Sequence, residues 1–290
     1  MTALTAVYDL AVSPPTFEVL SFLAQAELAR RAGGHEAMAV VFQPGPAGGF
    51  RADALPPDVP AREGMLWRIC VAAARMVPSV REVRVLRDRA ELRGPVFPAG
   101  WAATRPVAHY GPAYQVNGPD VFRASESARR AVTLRLPRRF ATITLRQASY
   151  WPSRNSNLPA WREAARWLDQ RSIAPVWIPD AEGAAPAGVN AFEAAAYDLD
   201  LRLAAYEAAV VNLGVTHGPL ALLHFTRLPH LIFKPVDPEC PATGEAHLRA
   251  LGLRPGGQWV AHGRLVWAPD DAPAIVGALA EFFAAQGAAA

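Results

Sequence analysis

Two guanidiniums, Arg146 and Arg154, and three small hydrogen-bonding side chains, Asn155, Ser156 and Asn157, fall in one short stretch of the sequence, LRQASYWPSRNSN. A guanidinium forks two N–H donors toward a pair of phosphate oxygens, and amides and hydroxyls fill the acceptor positions that remain, so the set suits a diphosphate. A second group stands at His217, Gly218 and Pro219 in LGVTHGPL. There a glycine lets backbone come close to a phosphate while a following helix points its N-terminus at it. Lys234, the only lysine, follows PHLIF and can reach the same crevice. Each residue also has a plainer use. Asn157 can cap a helix, Gly218 can serve a turn with His217 exposed, and Lys234 can be a surface charge.

The elements that must hold these groups follow from periodicity. ATITLR predicts a strand ending at Arg146, LPAWREAARWLDQ a helix from about Leu158 to Gln170, and APVWIPD a second strand. Upstream, LTAVYDLAV predicts a strand, TFEVLSFLAQAELARRAGG a helix with Pro14 and Pro15 in its first turn, EAMAVVFQP a strand, MLWRICVAAARMV a helix and VREVRVL a strand. VFRASESARRAVTLRL adds a helix near Ser125 or Ser127. Downstream, AFEAAAYDLDLRLAAYEAAVVN predicts one long helix, LGVTHG a strand and turn, PLALLHFTR a helix, and PHLIF and WVAHGRLVWAPD strands. DAPAIVGALAEFFAAQG closes as a helix expected to lie across both halves. Alternating strands and helices predict parallel sheets covered on both faces. The Pro- and Gly-rich stretch between the halves predicts two Rossmann-like α/β domains: residues 1–103, a connection at 104–137, and 138–290. Ligands of such sheets bind beyond the strand C-termini. Trp161, Leu168 and Leu158 share one helical face and are expected in the core, whereas Trp151, in the basic loop, can stack on a sugar or base.

Composition narrows the classes. The chain has 290 residues, 51% of them apolar and 19% charged, and a formal charge of only +3, with 29 basic residues against 26 acidic. No basic run interleaves with aromatics in the manner of single-strand binders, so no nucleic-acid partner is expected. Cys70 and Cys240 lie far apart, without a CxxC or HExxH, and neither a disulfide framework nor a metal site is expected. No signal-peptide pattern and no uninterrupted apolar run of membrane-spanning length occurs, which predicts a cytoplasmic protein without a transmembrane segment.

Residues 138 to 236, through YWPSRNSNLPAWREAARWLDQRS, APVWIPD and DLDLRLAAYEAAVVNLGVTHGPLALLHFTRLPHLIF, resemble the C-terminal domain of GT-B glycosyltransferases, most of all the heptosyltransferase-like group. The sequence departs from that pattern at THGPLALLHF, which lacks the acidic residue and the threonine that normally stand before the glycine. The resemblance implies two domains facing each other across a cleft and a nucleotide-diphosphate sugar as substrate, with no cofactor. Arg146, Arg154, Asn155, Ser156, Asn157, His217, Gly218, Pro219 and Lys234 would hold the donor diphosphate, and Asp180 and Glu182 the base or ribose. Asp9, with Glu18 second, would act as base toward a glycan or lipid-linked acceptor. Such an acceptor would bring the protein to the inner face of the membrane. Transfer would be metal-independent and inverting. A nucleotide-sugar hydrolase or epimerase on the same scaffold, and a non-catalytic GT-B-like binding protein, remain open.

Overall fold

β1 (Ala3–Asp9) and β2 (Ala37–Gln43) pair in parallel, in register from Ala3 opposite Ala37 to Asp9 opposite Gln43. The computed structural model describes residues 3–52, 58–97, 120–149, 151–180, 185–233 and 263–287, with 246 and 249. β3 (Val80–Val85) adds to β2 in parallel. On the other side of β1, Phe97 exchanges two 2.8 Å hydrogen bonds with Thr5 and Val7, so the strand order reverses beside β1.

α1 (Glu18–Ala32) buries Val19, Leu20, Phe22, Leu23, Ala24 and Ala26. It starts later than its prolines suggested. Pro14 and Pro15 stand in the preceding turn, where the Tyr8 hydroxyl donates to the Pro14 carbonyl at 2.7 Å. The next helix starts earlier than expected, because Asp58 accepts from Ala61 N and Pro60 suits a first turn; α2 (Val59–Met65) runs on through a π-helical segment (Leu66–Val71) into α3 (Ala72–Arg75). α4 (Glu126–Arg135) is capped by Ser125, whose Oγ accepts from Ala128 N at 3.1 Å.

The second sheet has the order β5–β4–β6–β7–β8, parallel throughout. Its strands are β4 (Phe140–Thr144), β5 (Ala174–Ile178), β6 (Val211–Val215), β7 (His230–Phe233) and β8 (Gly263–Val266). Every residue of β4, β6 and β7 is buried, as befits central parallel strands covered on both faces. α5 (Leu158–Asp169) returns the chain from β4 to β5, with Trp161 and Leu168 fully buried as expected.

The anticipated long helix is broken in two. Asp198 accepts from the N–H groups of Asp200 and Leu201 and so starts α7 (Leu199–Ala208) directly after α6 (Ala194–Tyr197). Val211 and Asn212, placed by periodicity in the same helix, join β6, where pairing with β4 outweighs local preference. The helix expected over 219–227 shrinks to a 3-10 turn (Gly218–Leu220) and α8 (Ala221–His224), since Pro229 and the start of β7 follow at once. α9 (Ala272–Gly287) packs on α5, and its Ile275, Ala278 and Leu279 join the core of the second sheet.

One apolar core runs through both halves, joining Val19, Phe22 and Phe42 to Ile178, Leu203, Leu223 and Phe225. Residues 120–124 stitch them further: Val121 N donates to Phe225 O at 2.9 Å and Arg123 N to Met76 O at 2.8 Å.

At the far end of α1, Glu27 is 4% exposed. It accepts from Arg30 and Arg31 at 2.7 Å and from Ser79 Oγ at 2.6 Å. Burial alone would raise its pKa; the bonds from Arg30, Ser79 and Arg31 outweigh that and bring it to about 2. The stability it contributes is therefore present above pH 4.5 and lost as pH falls toward 2. Glu27→Gln should lower unfolding free energy by about 1–3 kcal/mol at neutral pH and flatten the acid limb, read by urea titration across pH.

Candidate functional site

In open parallel sheets the crevice forms where strand order reverses, beyond the strand C-termini. In the second sheet that point lies between β4 and β6. Two loops meet there: residues 145–149 and 151–157 after β4 and residues 216–218 after β6. Gly214 is needed for the approach, since a Cβ on it would sit 2.6 Å from the Thr144 carbonyl oxygen.

The β4 loop is built around Arg146, which is 2% exposed. Its Nη1 donates to the Trp151 carbonyl at 3.0 Å and to Asn155 Oδ1, while its N–H reaches Ser156 Oγ at 2.9 Å. Asn155 also accepts from Ala148 N and donates to Ala148 O, each at 3.0 Å. Ser156 N returns to Arg146 O at 3.0 Å. Asn157 caps α5 by accepting from Ala160 N at 3.4 Å. Arg146, Asn155, Ser156 and Asn157 thus come together, with these groups bonded to one another and to the loop. Arg154 is the guanidinium that spans the two loops. It is half-buried and its Nη2 donates to Thr216 O, across the reversal point, at 3.3 Å. Trp151, 44% exposed, has left-handed backbone angles, φ 51° and ψ 62°, a costly state for a non-glycine residue, and Arg146 holds its carbonyl.

The start of α5 already holds an anion. Asp270 Oδ2 accepts from Asn157 N and from the Trp161 indole N–H, both at 2.7 Å, and is 8% exposed. The neighbouring Asp271 does the capping of α9, accepting from Ala274 N. The sequence signal was a pair of aspartates, Asp270 and Asp271, where one cap suffices.

His217 and Gly218 lie in the β6 turn. Gly218 makes room for the other half of the molecule: a Cβ there would be 2.4 Å from the Phe17 ring, at the start of α1. The turn after β6 and the start of α1 therefore meet. Pro219 is inside the 3-10 turn, and the four-residue α8 beyond it is too short to aim a helix dipole. His217 Nδ1 stands 2.7 Å from the Val215 carbonyl, an acceptor only, so the proton sits on Nδ1 and Nε2 is an acceptor. Nε2 is buried with no partner among the described residues, as is Gln147 Oε1. Burial, aided by the charges of Arg202 and Arg146 and opposed by Val215 O and Asp180, brings the His217 pKa down to about 4. Asp180 Oδ2 accepts from Gln147 N at 3.0 Å. Arg202, 2% exposed, donates to Ala195 O at 2.8 Å. Two buried guanidiniums and one carboxylate leave this corner positive. Arg202 and Gln147 escaped the sequence reading, since nothing in a helical or loop pattern marks which polar residue is buried.

In the first half Asp9 ends β1, at that sheet's own reversal point. Its Oδ1 accepts from Ala11 N and Arg89 Nη1, and its Oδ2 from Arg89 Nη2 at 2.7 Å. Beside this pair lies an open recess of about 510 Å³, lined among others by Ala11, Pro44, Gly45, Arg87, Asp88 and Arg89. Glu18 is the first residue of α1 and half-buried. Lys234 and Glu182 lie outside the described residues. No helix among the described residues is long and apolar enough to cross a membrane.

No family model matches the sequence, and no curated protein matches it. Among solved structures the chain is similar to the crystal structure of the glycosyl transferase family 9 protein from Veillonella parvula DSM 2008. The TM-score is 0.54 at 10% identity, over 92% of this chain and 86% of that one. At that identity the likeness is one of fold, and the α/β architecture with parallel sheets expected from the sequence is the one observed.

Two outcomes follow from this geometry. Asp270→Asn should cost about 1–3 kcal/mol in denaturant unfolding followed by tryptophan fluorescence, because a charged acceptor of two buried N–H groups is lost. A folded pKa of about 4 against 6.5 means that the unfolded chain binds the extra proton between these values. Stability linked to His217 is then full above pH 6.5 and falls as pH drops toward 4, and His217→Phe should shallow that slope in the same assay.

Proposed function

We propose that the chain is a GT-B-type glycosyltransferase that moves a sugar from a nucleotide-diphosphate donor to a surface-polysaccharide or glycoconjugate acceptor. The observation that carries this is the positive corner at the β4/β6 reversal point, with Arg154 joined to both loops and Arg146 and Arg202 buried behind it. Charge of that sign, in that place, suits the diphosphate that leaves when the sugar transfers. Trp151, displayed above the same loops, offers a face for the base or sugar.

On this reading the acceptor lies in the recess beside Arg87 and Arg89, at the ends of β1 to β3. Its hydroxyl oxygen attacks the anomeric carbon as the bond from that carbon to the donor phosphate breaks. The hydroxyl proton passes to Asp9 and the electron pair leaves with the nucleoside diphosphate. Oδ2 of Asp9 is the oxygen with capacity left, since Oδ1 accepts from both Ala11 and Arg89. Attack from the face opposite the leaving group inverts the anomeric centre, and the arginines serve where a metal would otherwise balance charge. The bidentate Asp9–Arg89 pair favours a second reading, a nucleotide-binding protein without transfer chemistry.

Calorimetric titration with a panel of nucleoside diphosphates should give binding of one base-specific member. Arg154→Ala should weaken it by about 1–3 kcal/mol, the loss expected for a charged hydrogen bond. Absence of binding to every member by the wild type refutes the donor site. Asp9→Asn should then abolish transfer while leaving nucleotide affinity in place; unaltered turnover, or none in the wild type, favours the second reading.

A further inference from the structure

We infer that His217 Nε2 and Gln147 Oε1 form a buried acceptor pair that reads hydroxyl groups of the transferred sugar, apart from the cations that hold the diphosphate. The inference rests on the donor-site reading above and divides that site into two chemistries.

The tautomer decides the matter for His217. Its Nδ1 faces the Val215 carbonyl at 2.7 Å, so Nδ1 carries the hydrogen and Nε2 presents a lone pair. A phosphate oxygen is also an acceptor and cannot pair with it. Gln147 Oε1 has the same character. Both atoms are buried, and neither has a partner among the described residues. Buried acceptors left bare cost stability, which an incoming O–H recovers. The ladder sets the two residues side by side: Thr144 stands opposite Gly214, and Gln147 and His217 each follow three residues later. Gln147 N donates to Asp180 Oδ2, and the Asp180 charge also acts on the His217 ring. At the ends of β4, β5 and β6 a carboxylate and two neutral acceptors therefore come together, with the charges of the buried Arg146 and Arg202 guanidiniums also acting on the His217 ring. Arg154 faces the β6 end from the other loop. Such a division matches a sugar diphosphate, whose hydroxyls are donors at one end and whose phosphates are acceptors at the other. Sites built to bind a hydroxyl discriminate strongly against ligands that lack it, because their own buried groups are then left unpaired.

The test is calorimetric titration of ADP, CDP, GDP, UDP and dTDP, and of ADP-glucose, GDP-mannose, UDP-glucose, UDP-galactose and dTDP-glucose, onto wild type, His217→Phe and Gln147→Leu. Wild type should bind a sugar ester about tenfold tighter than its bare diphosphate, the scale of a polar contact made only by the sugar. Both variants should keep the diphosphate affinity within about twofold and lose the extra affinity of the ester. Equal weakening of diphosphate and ester would place His217 on the phosphates and overturn the inference, as would a preference for the ester that survives both changes. In either case intact diphosphate binding by wild type leaves the glycosyltransferase reading standing, whereas no binding of any panel member removes both. Nitrogen NMR of histidine-labelled wild type gives a readout that does not depend on variants folding: the Nε2 signal of His217 should start as an unbonded acceptor and move on addition of the ester but not of the diphosphate. A signal that moves equally with both overturns the inference.

Discussion

A guanidinium removed from water must find acceptors or it unfolds what surrounds it, and Arg146 obliges the chain after β4 to supply them. The loop closes on the cation, giving it the Trp151 carbonyl and the Asn155 side chain. Everything at the reversal point depends on that closure. It forces Trp151 into left-handed backbone, which turns an indole outward, and it fixes Ser156 and Asn157 so that α5 begins where it does. Arg154 reaches Thr216 from the same loop. A lysine at 146 would bring the charge without the planar fork that engages two partners at once.

The second support comes from far along the chain. Asp270, between β8 and α9, receives two N–H groups from the start of α5, and so ties the last helix to the loop that Arg146 organises. The helix N-terminus thereby spends its dipole on a fixed internal carboxylate. The site so described is assembled from the side chains of β4, β5, β6 and their loops, with backbone glycines at 214 and 218 setting how closely those parts approach.

The alternation of strands and helices was legible because apolar periodicity is a local property, and so was the burial of Trp161 and Leu168, spaced to share one helical face. The position of the loop at 146–157 was legible for the same reason. Direction was not. Residue types mark Arg146 and Asn155 as hydrogen-bonding groups, but whether they point at a ligand or at each other depends on burial, which the linear pattern does not carry. The split at Asp198 and the strand at Val211–Val215 were hidden because an alanine-rich helix runs directly into a Val-Val-Asn segment whose partner, β4, lies about seventy residues upstream. Asp270 acts across 113 residues, beyond any spacing rule. Its only local trace is a redundant acid. The helix after Gly218 was overestimated because the geometric demand of reaching β7 is invisible until the sheet order is known.

The continuous core also bears on how the molecule can move. Residues from α1 and β2 pack into the same apolar cluster as residues from β5, α7 and α8, and Phe17 fills the space above Gly218. Rotating one half against the other would tear open that shared interior and expose it to water, a far larger cost than shifting a surface loop. Freedom to move is left to the loops after β1, β4 and β6, a class of segment whose motions belong to the nanosecond-to-microsecond range rather than to slower hinge rotation. The relative pose of the two sheets is thus fixed by the interior they share.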